Sequence, residues 1–159
     1  MATLANEFSD VPDAAQITRI LVRLLLAAIL GGILGYEREQ RGKAAGVRTH
    51  MLVAMGAALF VLVPHQAGME VADLSRVMQG VIAGIGFLCA GAIIKNQSEE
   101  DVQGLTTAAG VWMTAAIGIA CGLGRESTAL ISTLLALAIL NTVPRLLGTD
   151  KPGGKNNGR

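Results

Sequence analysis

The chain reads as an all-α polytopic membrane protein with five transmembrane helices, and three observations predict this. Val77 to Ile94 runs eighteen residues without a charge, and four further apolar runs flank it: Ile17 to Tyr36, Thr49 to Val63, Leu105 to Leu123 and Ser127 to Val143. Hydrophobic residues make up 52% of the sequence and charged residues only 16%, where a soluble domain carries about 25% charged. The mean hydropathy is +0.51. About 20 apolar residues cross a ~30 Å hydrocarbon core as a helix, and lipid offers the backbone no hydrogen-bond partner, so each run must be helical. Five spans and short connections consume the 159 residues, leaving one membrane domain and no room for a soluble catalytic domain.

Residues 1–16 form an extracytoplasmic N-tail with Glu7, Asp10 and Asp13 and no basic residue, unlike a signal peptide, so the first span stays in the protein. Asp13 stands where it could cap an early start of that span, and Pro12 discourages helix before it. The membrane domain is drawn as 17–147, with Pro64 and Pro144 closing the second and fifth helices. Residues 148–159, rich in Gly, Asn and Lys with nothing apolar to bury, read as a disordered cytoplasmic tail. An N-out, C-in orientation puts nine basic residues inside (Arg38, Arg41, Lys43, Arg48, Lys95, Arg145, Lys151, Lys155, Arg159) against four outside (Arg19, Arg23, Arg76, Arg125). Basic residues concentrate on the cytoplasmic side, so this orientation is the expected one.

Small residues recur four apart at Gly31 and Gly35, Gly80 and Gly84, and Gly118 and Gly122, a spacing that lets helix backbones approach closely in lipid. Packing is the plain reading, and the face carrying Gly80 and Gly84 is expected against another helix. The functional alternative is that Gly84, Gly86 and Gly91 thin one wall of a cavity. Cys89 and Cys121 both fall inside apolar runs and read as buried free thiols.

Polar residues carry most of the information in a bilayer. The segment YEREQRGKAAGVRTHM places Glu37, Arg38, Glu39, Arg41, Lys43, Arg48, Thr49 and His50 between the first two spans, with Glu37 and Arg41 spaced for an ion pair along a continuing helix. A simple basic anchor would need no glutamates, so the mixed signs suggest a fixed geometry. On the same membrane face, Glu99, Glu100 and Asp101 precede Thr106 and Thr107. The three carboxylates suit either a hard cation or, preferably, pairing with Arg38, Arg41 or Arg48; the threonines can cap the fourth helix or bond across helices. The cluster Glu37, Arg38, Arg41, Arg48, Thr49, His50, Thr106 and Thr107 is therefore the candidate functional site on the cytoplasmic side.

On the outer side, only Leu24 to Tyr36 remains uncharged after Arg23, about 20 Å of helix, too short to cross the core. Arg23 must snorkel or find a buried partner; Glu70 and Asp73 are the candidates, with Arg76 competing. No Asp or Glu lies in the middle of any span, which argues against a carrier coupled through an intramembrane carboxylate. His50 and His65 are a span apart, and no phosphate loop, metal-ligand pair or basic stripe with interleaved aromatics is present. An enzyme, a cofactor and a nucleic-acid partner are all unexpected, and no metal site is assigned.

The blocks RLLLAAILGGILGYEREQRGKAAGVRTHMLVAMGAALF, GVIAGIGFLCAGAI and VQGLTTAAGVWMTAAIGIACGLG resemble the MgtC/SapB family of bacterial inner-membrane proteins and cover the chain from Arg23 to Gly124. The motif residues this carries over are Glu37, Arg38, Gly42, Gly46, Arg48, Thr49 and His50 in the first block. In the later blocks they are Gly84, Gly86, Phe87, Gly91, Gly104, Leu105, Thr106, Thr107, Ala108, Trp112 and Cys121. Cys89 stands where the family pattern has glycine. Better-known members carry a further cytoplasmic C-terminal domain that this sequence lacks, so a role tied to it is not carried over. The resemblance implies a multi-pass inner-membrane protein linked to growth in low magnesium and to virulence, restraining the F-type ATP synthase and affecting membrane potential. The expectation is a modulator of ion homeostasis acting through contacts with itself or other membrane proteins. The competing class is a small transporter or channel for Mg²⁺ or another cation, with its pathway at a homo-oligomer interface.

Overall fold

A computed structural model of the chain describes residues 13–94 and 104–146. These form five α-helices, each long and apolar enough to cross a membrane: α1 (Ala14–Gln40), α2 (Val47–Gln66), α3 (Val71–Ile94), α4 (Leu105–Gly122) and α5 (Glu126–Leu146). The five-span all-α expectation holds. Residues 1–12, 95–103 and 147–159 lie outside the described residues, and with them the acidic triplet Glu99 to Asp101 and the tail predicted to be disordered.

Two boundaries differ from the sequence reading, each for a local reason. The first helix starts at Ala14 rather than residue 17, because the Asp13 carboxylate accepts the Gln16 amide at 2.6 Å and caps it. At 27 residues α1 is about 40 Å long, more than the ~30 Å core, so it carries charged turns beyond the hydrocarbon. The prolines lie inside their helices, which run on to Gln66 and Leu146. Proline withholds only its own amide and crowds the carbonyl one turn earlier; the two residues after it can still close a last turn.

The core is three helices packed at their backbones. On α1, a Cβ at Gly31 would stand 2.6 Å from the His50 carbonyl oxygen, and one at Gly35 would stand 2.7 Å from the Val47 Cα. On α4, Gly118 and Gly122 rest in the same way on the carbonyls of Ala54 and Ala58 of α2. Around these crossings Ala27, Leu30, Leu34, Ala54, Ala58, Ile117 and Cys121 are buried, and α5 adds Ala129 and Ala136. Lipid supplies no hydrophobic drive between helices, so association rests on this close van der Waals contact. Gly31, Gly35, Gly118 and Gly122 thus serve as packing glycines.

The glycines of α3 do not. At Gly80, Gly84, Gly86 and Gly91 an added Cβ would meet nothing within 4 Å among the described residues, so the helix expected against them is not part of this chain's bundle. The reason is rotational. Helix α3 meets the core through the stripe Val81, Ile85 and Cys89, packed near Val53, Ala57, Val111 and Ala115. Gly80 and Gly84 are turned about 100° from that stripe and, with Gly56 and Phe60 of α2, line an open apolar groove of about 640 Å³.

Candidate functional site

A tight connection sets the site. Helix α1 ends where Gly42 takes φ +65°, a left-handed conformation that glycine adopts without strain. The amides of Gly42 and Lys43 then donate back to the carbonyls of Glu39 and Arg38, each at 3.0 Å. The Glu39 carboxylate reaches across the turn and accepts the Val47 amide at 2.9 Å, satisfying one of the free donors at the start of α2. The last turn of α1 and the first turn of α2 are thereby held together.

Within this junction Glu37 bridges two arginines. One carboxylate oxygen, Oε2, accepts from Arg38 Nε; the other, Oε1, lies 2.6 Å from Arg41 Nε as a charge contact without hydrogen-bond alignment. Arg38 is only 2% exposed and Glu37 is largely covered, so these are strong contacts in a low-dielectric setting rather than surface pairs. Arg41 continues the chain of contacts, donating Nη2 to Asn141 Oδ1 of α5 at 3.2 Å while Asn141 Nδ2 donates to the Leu137 carbonyl at 2.9 Å. One carboxylate thus organises two guanidinium groups and ties α1 to α5.

His50, fully buried one turn into α2, completes the cluster. Its Nδ1 stands 2.9 Å from the Gly46 carbonyl oxygen, which can only accept, so Nδ1 carries the proton and Nε2 presents a bare lone pair. Among the described residues Nε2 has no hydrogen-bond partner. It faces α4 at Gly110, where a Cβ would stand 3.6 Å from Nε2 and 3.9 Å from Arg38 Cδ. Thr107 is buried one turn away on the same helix, and the Thr114 hydroxyl donates to the Gly110 carbonyl at 2.9 Å.

The structure therefore brings together Glu37, Arg38, Arg41 and His50, buries Thr107 one turn along α4 from Gly110, and leaves Arg48, Thr49 and Thr106 exposed. Helical periodicity decides the split. On α2 the buried stripe is His50, Val53, Ala54 and Ala57, and on α4 it is Thr107, Ala108, Val111 and Thr114; Thr49 and Thr106, one residue before these stripes begin, are turned about 100° away, and Arg48, two before, about 200°. Nor do the threonines cap α4. Its N-cap is Gly104, with no side-chain cap bond, packed so that a Cβ would stand 2.6 Å from Ile93 Cα of α3.

At the opposite end of the bundle, Arg23 has a different partner from the one expected. Its Nη1 donates to the Gly122 carbonyl at 3.1 Å, Nε lies 3.9 Å from Glu126 Oε1, and its guanidinium packs beside Gly124 at φ +72°. It serves the carbonyl end of α4, where unpaired oxygens and the helix dipole both favour a cation. Asp73 pairs instead with Arg76 at 3.7 Å on an exposed turn. Sequence reasoning passed over the partnerships of Asn141, Glu126 and Glu39. The available signals were an isolated amide in an apolar span and an acid opening the fifth helix, both silent about which arginine they would meet. Among the described residues no group of three His, Cys, Asp or Glu side chains could hold a metal ion.

The family model described as the MgtC family matches residues 24–148. The chain belongs to the MgtC family. Protein SrpB of Synechococcus elongatus is 46% identical over 135 residues, 78% of this chain and 74% of that protein. The putative magnesium transporter YhiD of Escherichia coli K12 is 41% identical over 134 residues, 79% of this chain and 61% of that protein. Protein MgtC of Salmonella typhimurium is 41% identical over 117 residues, covering 74% of this chain and 49% of that protein. This MgtC family member thus spans about half to three fifths of the latter two relatives. No solved structure matches it.

Proposed function

We propose that this MgtC family protein modulates ion homeostasis and membrane potential in the bacterial inner membrane, N-out and C-in, through contacts with other membrane proteins rather than by moving an ion itself. The observation that carries the reading is the closed core: α1, α2 and α4 meet at glycine and alanine, with charged side chains gathered at the ends. A Mg²⁺ ion holds its water tightly and needs oxygen ligands to leave it, and this core offers mainly alkyl groups. The F-type ATP synthase is the proposed partner on family resemblance, and the Glu37 cluster sits at the end of the bundle that the orientation assigns to the cytoplasm.

The test reconstitutes the chain with an F-type ATP synthase in liposomes and follows ATP-driven acidification together with Mg²⁺ entry. Acidification should fall as the chain is added, with Mg²⁺ entry at the level of empty vesicles. The second reading, a cation path between copies, is favoured by the description of the relative YhiD as a putative magnesium transporter and by the outward-facing glycines of α3. A saturable Mg²⁺ flux with undisturbed acidification would replace the first reading by the second.

A further inference from the structure

We infer that His50 is a proton-binding site whose charge state controls the ion-paired end of the bundle, so that this junction loosens in acid. The inference concerns the chain's own junction and stands whichever protein it contacts. Three observations carry it. The Gly46 carbonyl fixes the proton on Nδ1 and leaves the Nε2 lone pair as a proton acceptor. That atom is buried and without a partner among the described residues, an expensive state for a polar atom unless it is used. It also lies in a charged setting: two guanidinium groups, Arg38 and Arg41, share one carboxylate, Glu37.

The groups facing His50 set the direction of the response. From α1 come Arg38 and Glu37, the charged neighbours that act on the ring, with Gly31 and Gly35 packed on the backbone and Cβ of His50. The turn before α2 contributes the Gly46 carbonyl, and α4 contributes Gly110 with Thr107 and Thr114, none of which titrates near neutrality. From α5, the neutral amide Asn141 reaches the cluster through Arg41. When one proton from the aqueous phase adds to the Nε2 lone pair, the ring gains an N–H and a positive charge and no bond is broken. Among the described residues the cluster then holds three cations beside the Glu37 carboxylate. The imidazolium repels Arg38 and competes with both arginines for Glu37, which weakens the tie through Arg41 to Asn141.

The experiment uses the full chain in nanodiscs and reads the ¹⁵N signals of the histidine rings together with the unfolding temperature between pH 8 and pH 5. His50 should be an Nδ1-protonated neutral ring at pH 8 and become doubly protonated within the range, with the unfolding temperature falling over the same interval. The variant His50→Asn places an amide nitrogen where Nδ1 stands, keeps the bond to Gly46 and cannot titrate; it should lose the acid step. His65→Asn, on an exposed residue, should retain it. A ring that stays neutral to pH 5 overturns the proposal. So does an acid step that survives in His50→Asn. If His50→Asn fails to fold, the ring titration of the unaltered chain still decides.

Discussion

At Gly118 the backbone of α4 rests on the carbonyl of Ala54, and a single added methyl group has nowhere to go. The neighbour is main chain inside a helix and cannot swing aside. Gly118→Ala should therefore lower stability by about 1–3 kcal/mol, the usual range for overpacking. Gly84→Ala, pointing into open space, should stay within about 0.5 kcal/mol. Thermal unfolding of the two variants in the same detergent makes the comparison, and equal losses would contradict the packing described. Glu37 gives a second contrast. Glu37→Gln leaves the buried Arg38 without its counter-charge and should cost about 3–5 kcal/mol, whereas Arg48→Ala removes an exposed side chain and should cost under about 0.5 kcal/mol. Chemical or thermal unfolding distinguishes them; an Arg48 effect as large as that of Glu37 would place Arg48 in the cluster after all.

Among the helices, α4 is the shortest, and its length explains the role of Arg23. Eighteen residues rise about 27 Å, barely the thickness of the hydrocarbon core, so its last carbonyls end where water is scarce. Arg23 reaches from the side of α1 to supply a donor to the Gly122 carbonyl, and the chain then turns at Gly124 into α5. Arg23→Ala should cost about 1.5–3 kcal/mol, the range for a hydrogen bond from a charged donor, and Arg23→Lys should recover part of it. Glu126→Gln should change little, because that pair is long and its carboxylate is 43% exposed. Unfolding midpoints of the three variants check the order; a loss at Glu126 matching that at Arg23 would mean the ion pair, not the carbonyl contact, holds this end.

The whole bundle divides into a tight three-helix core and two helices, α3 and α5, that lie against its flanks. Helices α1, α2 and α4 lock at their backbones, α5 leans on them through Ala129, Thr133 and Ala136, and α3 keeps most of its surface toward lipid. A bulky residue should consequently act very differently in the two places. Gly118→Leu should abolish the folded chain in detergent, while Gly84→Leu should unfold at the temperature of the unaltered protein. Size-exclusion profiles and melting curves of both variants provide the measurement, and a destabilised Gly84→Leu chain would mean α3 packs more closely than described.

How much of this was legible beforehand depends on the range of the interaction. The five spans, the Glu37–Arg41 pair and the capacity of Asp13 to cap are local or periodic properties: they follow from runs of apolar residues, a four-residue spacing on a helix and a short acid before a helical run. The sequence by itself determined that the chain is a five-helix membrane protein with a mixed-charge cluster at one end. It could not determine which face of each helix turns inward. Gly84 and Gly118 sit in the same kind of motif, and Arg48 and His50 are two residues apart, yet one of each pair is buried and the other is not. Only the tertiary structure decided that Arg23 meets Gly122, that Arg41 meets Asn141, and that Nε2 of His50 has no partner among the described residues. Those contacts join residues far apart in the chain, and they depend on helix rotation and crossing point, which side-chain packing between helices fixes and no single helix encodes.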